Sequence, residues 1–466
     1  SSPTNGVVAA IKGFVPCETP VIYSRKMVGA PAVCLSGDGV GACAIAQFDS
    51  ATHMVTNVIV TSGGTGYTWA RADFYYWRGS GISHASFDCE VSEPSSGSFT
   101  KAGEGDFTFM ARNTYGGESP MGYQLTGAVW ELTMACNMTC EHCGSSCNSR
   151  LDDELTTEEA LNLCRQLKEC GLRYITLSGG ELTTRNDWHV IANYLNELGV
   201  ITTMITNGWL MDDAMIERIK EASINTVAIS IDGLQQTHDR IRREGSFLKD
   251  RENLVKLHER GIHTAVITTI HEGNIDELEA MYEYLSEINV SMWQLQIALP
   301  MGTFKKHEEL YLQKKRVPEI IDFAYSKHEG EMYIVLADCL GYYTKKERAI
   351  RSKFFQETVD WTGCMAGKRN VGILANGDIV GCTSIRKKDM VAGNIRTRSF
   401  KDIWEDPKSF AWNRTLKKRD LKGFCNKCIY GDQCLGGCSN LKLCFEDDLY
   451  HENEYCVYLQ TMKEKQ

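Results

Sequence analysis

The sequence predicts an α/β protein built on a parallel sheet, with a glycine-rich β region before it and a cysteine-dense region after it. Two observations carry this reading. Between about residues 125 and 300, short apolar runs alternate with amphipathic helical stretches through six strand–helix units, and such repeats imply parallel strands joined by right-handed crossovers. Each chemically distinctive motif in that stretch also falls directly after an apolar run, at the strand ends where ligands collect in such sheets.

The elements follow in order. Residues 1–121 are rich in Gly, Ser, Thr and aromatics. The alternation from Val55 to Thr61 reads as a strand, and Ser62-Gly63-Gly64-Thr65-Gly66 reads as a turn. Residues 39–68 resemble the glycine-rich β repeats of phage-tail and bacterial surface proteins, with one clear copy and a vague echo over 81–110; the role of the region is unknown. Strands are expected at 129–134, 173–177, 201–205, 226–231, 263–269 and 292–297. Between them, helices are expected from Thr156, where Glu159 three residues on completes a capping box, and over 187–198, 211–222, 248–260 and 274–287. Residues 122–305 form this α/β domain, 306–360 a bridging segment with a basic helical stretch from Lys345 to Lys353, and 361–466 the cysteine-rich domain.

The totals narrow the function classes. A chain of 466 residues is two or three domains long. A net charge of −10, from 50 basic and 60 acidic residues, argues against a broad nucleic-acid surface. No apolar run approaches the ~20 residues of a membrane helix, and Ser1 to Gly6 carry no signal-segment pattern. Nineteen cysteines are many, and their close spacing is that of metal or cluster ligands rather than of a short secreted disulfide scaffold. A reducing, cytoplasmic setting is expected.

The first cysteine group is Cys136-x3-Cys140-x2-Cys143, directly after the first apolar run. A [4Fe–4S] cube takes thiolates from one tight loop; three of them leave one iron free to chelate a small molecule. Behind the second strand stands Ser178-Gly179-Gly180-Glu181. Together these resemble the radical S-adenosylmethionine (SAM) superfamily, whose curved, partial six-unit barrel fits the strand count. The resemblance implies that SAM is held at the open iron and reductively cleaved to a 5′-deoxyadenosyl radical, the protein supplying orientation, electron input and a dry pocket. It assigns the glycines Gly179 and Gly180 to close backbone approach to the ligand, and Glu181 to the methionine ammonium. Leu182 stands where the family often has proline, and His142 where it usually has an aromatic residue or, on a plainer reading, a loop packer. Ser230-Ile231-Asp232-Gly233 and His238-Asp239-Arg240-Ile241-Arg242 resemble the fourth-strand region of the peptide-modifying branch. Ser230 and Arg242 are thereby assigned to the SAM ribose and carboxylate, with Arg240 and Arg243 as rivals, and Asn207 to a ribose contact, although Asn-Gly is also an ordinary turn.

The second group runs Cys364-x12-Gly377-x4-Cys382, then Cys425-x2-Cys428-x5-Cys434-x3-Cys438, then Cys456. This order resembles the SPASM extension of radical SAM enzymes, which carries two auxiliary [4Fe–4S] clusters. Asn376-Gly377-Asp378 reads as its hairpin turn, and Gly393-Asn394-Ile395 and Ile403-Trp404 have the look of the same domain. The resemblance gives Cys425, Cys428, Cys434 and Cys456 to one cluster and Cys364, Cys382 and Cys438 to the other, whose fourth position is filled by Cys339, by Cys444 or by no protein residue. A zinc ribbon needs four of these thiols and leaves three unexplained. Cys147, Cys164 and Cys170 read as core thiols, and Cys17, Cys34, Cys43 and Cys89 as structural.

Enzymes with this extension mostly modify peptides or proteins. The resemblance implies hydrogen abstraction from a peptide side chain to form a thioether or carbon–carbon crosslink, with SAM and three [4Fe–4S] clusters as cofactors and an electron donor such as flavodoxin or ferredoxin. Formylglycine formation on a sulfatase and radical oxidation of a small molecule are the alternatives within the superfamily; a non-catalytic electron carrier is the alternative outside it. Asp338 and Tyr342, in Ala337-Asp338-Cys339-Leu340-Gly341-Tyr342, are the candidates for a catalytic base, against a reading as plain loop residues.

Overall fold

The structure, a computed structural model, describes the backbone of seven strands within 7–105, and residues 123–355 and 361–464. The chain divides into two compact units, Ser1–Tyr115 and Gly116–Gln466. In the first, β1 (Val7–Ile11), β2 (Ala32–Gly37), β3 (Val40–Asp49), β4 (Met54–Thr65), β5 (Ala70–Arg78), β6 (Gly81–Ser92) and β7 (Ala102–Gly105) form one antiparallel sheet ordered β1-β6-β5-β2-β3-β4-β7. The turn expected at 62–66 is not there. β4 runs through Gly63 and Thr65, which pair with Ala42 and Val40 beyond a register shift at Cys43/Ala44; glycine inside a strand commonly marks such an irregularity. Cys17 lies outside the described residues.

In the second unit the strand–helix alternation is realised. The order is β8 (Gly127–Glu131), α1 (Thr157–Glu169), β9 (Tyr174–Ser178), α2 (Trp188–Glu197), β10 (Ile201–Thr206), α3 (Asp213–Glu221), β11 (Thr226–Ser230), α4 (Gln235–Ile241), α5 (Ser246–Glu259), β12 (His263–Ile270), α6 (Leu278–Glu287) and β13 (Met292–Ile297). The capping box at α1 forms: Thr156 accepts from the Glu159 amide at 3.2 Å, and Glu159 accepts from the Thr156 amide at 2.8 Å. The six strands pair in parallel and make the partial barrel. One face of each strand packs under the helices in a single core that includes Ile175, Leu177, Met204, Val227, Ile229 and Val266 with Leu163, Ile191, Ile216 and Leu254.

Two extensions of this sheet were not foreseen. α7 (Val317–Lys327) leads into β14 (Tyr333–Leu336), which pairs in parallel with β13, so part of the bridging segment belongs to the barrel; α8 (Lys345–Phe355) follows it. At the other edge, β15 (Asn370–Ile373) pairs in parallel with β8, and β16 (Asp378–Val380) and β17 (Val391–Asn394) continue antiparallel, giving ten strands. The hairpin turn lies where expected, with Gly377 at φ +86°, a conformation glycine adopts without a Cβ penalty. The cysteine-rich domain is thus bonded onto the sheet beside the strand that launches the first cysteine loop. Among the described residues, no helix is long and apolar enough to cross a membrane.

Candidate active site

Every motif expected at a strand end is at one. Leu132 to Ala135 leave β8 and carry the chain into the loop of Cys136, Cys140 and Cys143, all partly exposed thiols. Backbone bonds strap the loop: the Gly180 amide donates to Thr133 O and the Glu181 amide to Ala135 O, each at 2.8 Å, and the Thr303 amide donates to Cys143 O at 2.9 Å. A Cβ on Gly180 would stand 2.4 Å from Ala135 O, and one on Gly302 2.4 Å from Cys143 O. The Gly179-Gly180 pair therefore lets the second strand's turn lie directly on the backbone leading to Cys136, a contact between loops that the ligand-approach reading did not include.

Glu181 is buried, and both its oxygens are used. Oε1 accepts from the Thr183 amide and from the hydroxyls of Thr183 and Thr206; Oε2 accepts from the Asn207 amide at 2.7 Å. One carboxylate thus ties the ends of β9 and β10 together, while Oε2, with a single donor, keeps capacity for another such as an ammonium. The Asn207 side chain points to the cysteine loop, its Nδ2 donating to Asn137 Oδ1 at 2.7 Å and approaching Cys136 Sγ at 3.9 Å. It braces the thiol loop, a role that an Asn-Gly turn alone does not announce.

Beneath the loop lies a buried charge network. Asp232, fully buried after β11, bonds the Arg242 guanidinium, His142 Nε2 at 2.9 Å and the Thr269 amide at 2.7 Å. Burial alone raises a carboxyl's pKa; here Arg242 and His142 outweigh it and hold Asp232 well below the usual range. Arg242 Nη1 comes to 4.0 Å from Cys140 Sγ and Nη2 to 3.4 Å from His142. Of the three rival arginines it is the one turned inward: Arg240 pairs loosely with Glu141 at 3.9 Å, and Arg243 lies 3.9 Å over the Trp209 ring. Ser230 ends β11 half-buried at the same sheet end. Cys147, read as a core thiol, is buried, with its Sγ donating to Met134 Sδ at 3.8 Å, and its closeness to Cys143 is the main influence drawing the Cys143 thiol down. Arg386, from the cysteine-rich domain, bonds buried Glu131 at the end of β8 and Ser145 Oγ at 2.5 Å.

The later thiols stand in a different setting. Cys425, Cys428, Cys434 and Cys456 together line one cavity, walled by Tyr342, Tyr343, Phe424 and Tyr458 and by Gly431, Gly436 and Gly437. Four thiols lining one cavity fit the ligand set of a cluster. Cys364, Cys382 and Cys438 are mutual neighbours, and Cys339 stands beside Cys438. Cys444 stands by Cys382, with Sγ 3.5 Å from Asn440 Oδ1.

The two candidates for a base stand in different settings. Tyr342 is completely buried in the wall of that cavity; its hydroxyl accepts from the Cys438 amide at 3.0 Å and donates to the Asp338 carbonyl, and burial pushes its pKa well above 10. Its hydroxyl thus positions the Cys438 backbone. The Asp338 carboxyl faces the space beside Cys364 and Cys382, where desolvation raises its pKa and Arg351 lowers it.

Comparison with known proteins follows this division. Residues 130–285 match the radical SAM superfamily, and residues 364–429 match an iron–sulfur cluster-binding domain, SPASM. An AdoMet-dependent heme synthase of Methanosarcina barkeri is 27% identical over 344 residues, 71% of this chain and 95% of that protein. The mycofactocin maturase MftC of Mycobacterium ulcerans is 26% identical over 329 residues, 67% of this chain and 83% of its own. The structure of Streptococcus suis SuiB bound to its precursor peptide SuiA superposes with a TM-score of 0.58 at 17% identity, covering 71% of this chain and 75% of that one. Motif, fold and relatives agree, and the chain is a radical SAM enzyme with a SPASM domain.

Proposed function

We propose that this enzyme oxidises a side chain of a bound peptide by hydrogen abstraction and closes a thioether or carbon–carbon crosslink. Cys136, Cys140 and Cys143 hold the SAM-binding [4Fe–4S] cluster; SAM bound there supplies the 5′-deoxyadenosyl radical. Glu181 Oε2 takes the methionine ammonium, Ser230 lies at the ribose, and Arg242 with Asp232 fixes the charge beneath the loop. Cys425, Cys428, Cys434 and Cys456 hold one auxiliary cluster and Cys364, Cys382 and Cys438 the other, a route by which the second electron leaves the substrate.

One observation carries the choice of substrate. Strand positions facing away from the helices include Thr176, Thr203, Ile205, Ala228, Ser230, Ala265, Ile267, Thr269, Met292, Gln294 and Gln296, all uncharged, while Glu131 on β8 is neutralised by its ion pair with Arg386. Thr176 and Thr203 share a 3.0 Å hydrogen bond, and Gln296 donates to Thr269 at 3.1 Å. A neutral lining with paired hydroxyls and amides suits peptide groups. A polycarboxylate would call for cations. MftC, a maturase, and SuiB, solved with a peptide, point the same way. The heme-synthase relative, matched over more of its length, favours a second reading in which an iron tetrapyrrole is oxidised.

The test is anaerobic. Reconstituted protein is incubated with SAM, dithionite and either a short peptide encoded beside the gene or an iron coproporphyrin. Formation of 5′-deoxyadenosine with loss of two hydrogens from the peptide is expected. Turnover of the coproporphyrin with an unchanged peptide selects the second reading.

A further inference from the structure

Lys442 is the only lysine with a buried side chain among the described residues, and its ammonium nitrogen has no hydrogen-bond partner. It sits on the helix Ser439–Glu446, one turn after Cys438 and on the same face. The thiols nearest to it electrostatically are Cys425 and Cys434, then Cys438 and Cys364, two from each proposed auxiliary set. The glycines beside it make the room: a Cβ on Gly436 would stand 2.6 Å from Lys442 Nζ, and one on Gly437 would stand 2.6 Å from Asn453 Nδ2, another buried donor without a partner. Among the described residues, no carboxylate pairs with Nζ. A buried, unpaired ammonium is strongly disfavoured unless something anionic stands against it. A [4Fe–4S] cluster with thiolate ligands is an anion in both redox states, and it gains one more negative charge on reduction.

We infer that Lys442 is a shared counter-cation for the two auxiliary clusters, a positioning residue that raises their reduction potentials and so draws the substrate's second electron toward them. The inference rests on the two-cluster reading above. The same cation acting on both clusters stabilises each reduced form by Coulomb attraction in a medium of low polarity. Lying in the cysteine-rich domain, it has no comparable hold on the cluster at Cys136.

The test is redox titration by electron paramagnetic resonance on reconstituted Lys442→Met, whose side chain fills the same space without charge. Expected is a full iron and sulfide content, with auxiliary potentials moved negative by a tenfold or larger change in the reduced-to-oxidised ratio, which is 59 mV per tenfold for one electron. SAM cleavage without substrate should be unchanged. Auxiliary potentials equal to wild type overturn the inference. Should the Met variant load fewer clusters, Lys442→Gln and Lys442→Arg decide: loading restored by Arg alone supports the charge role, whereas loading by Gln at unchanged potentials, or equal failure of all three, overturns it. Iron content of the wild-type protein short of three clusters removes the two-cluster reading itself, and so separates that failure from this one.

Discussion

The two thiol regions of this chain differ most in what surrounds the sulfur. The loop of Cys136, Cys140 and Cys143 is partly open and rests on a network of Arg242, Asp232, His142 and Asn207. The later set is walled by the aromatic rings of Tyr342, Tyr343, Phe424 and Tyr458, with Cys425 and Cys434 buried and the other thiols partly exposed like those of the first loop, and with Lys442 as its inner cation. A polar surround suits a group that must admit a ligand and an outside electron; an aromatic surround suits groups that exchange electrons within the protein. Arg386 and the β8/β15 pairing keep the two regions on one sheet.

The sharpest break between them is functional. Cys136→Ala should take 5′-deoxyadenosine formation from SAM to background, because no other thiol stands in its place on the loop. Cys364→Ala should leave that cleavage near wild type and abolish the modified product. Both are read by chromatography of the same anaerobic reaction. Equal loss of SAM cleavage in the two variants erases the division of labour.

Next in size is the charge network found only under the first loop. Asp232→Asn keeps the shape but leaves Arg242 as an unpaired buried cation, and breaking a buried pair in this way costs about 3–5 kcal/mol. Urea unfolding of the reconstituted variant should show that loss, together with a weakened hold on the first cluster visible as lower iron content. The auxiliary clusters should load normally.

The polar region should also titrate where the apolar one does not. His271 is buried, with its ring centroid 6.5 Å from that of His142, and burial lowers its pKa from 6.5 to about 4. Because the folded value is depressed, the unfolded chain binds the extra proton first, so the stability that neutral His271 contributes is complete above pH 6.5 and is lost as pH falls toward 4. The difference between wild type and His271→Asn should therefore shrink by about 1.4 kcal/mol per pH unit through that window. A difference flat with pH would mean that His271 is already charged in the folded protein.

Much of this was legible in the sequence because it is periodic or local. The strand runs, the capping box at Thr156, the thiol spacings and the Asn376-Gly377-Asp378 turn each lie within a few residues of chain. What stayed hidden depends on pairing across the fold. β14 is only four residues long and reads as part of a linker until β13 lies beside it. The β15–β8 pairing joins residues some 240 positions apart. Tyr342 reads as a reactive phenol, and only burial makes it a wall. Nothing local in the sequence marks Lys442 as buried, or tells that Arg242 and His142 close on the Asp232 carboxylate.

The smallest expected effect tests how the two regions are held together away from any sulfur. Glu159 closes the α1 capping box and also pairs with Arg396, which follows β17 in the cysteine-rich domain, through Nε at 2.6 Å and Nη2 at 2.8 Å. Arg396 further donates to the carbonyls of Asp153, Glu154 and Asn376. One helix start is thus both a local cap and a joint. Thr156→Ala removes the side-chain acceptor for the Glu159 amide but leaves the Glu159 carboxylate bonded to Arg396, so the loss should be that of a cap alone, about 1 kcal/mol. Arg396→Ala leaves the cap and removes the joint. If the two are independent, their costs in urea unfolding add within about 0.5 kcal/mol. A double variant less destabilised than that sum shows that the cap holds Glu159 in place for Arg396, and that the start of α1 belongs to the junction as much as to the barrel.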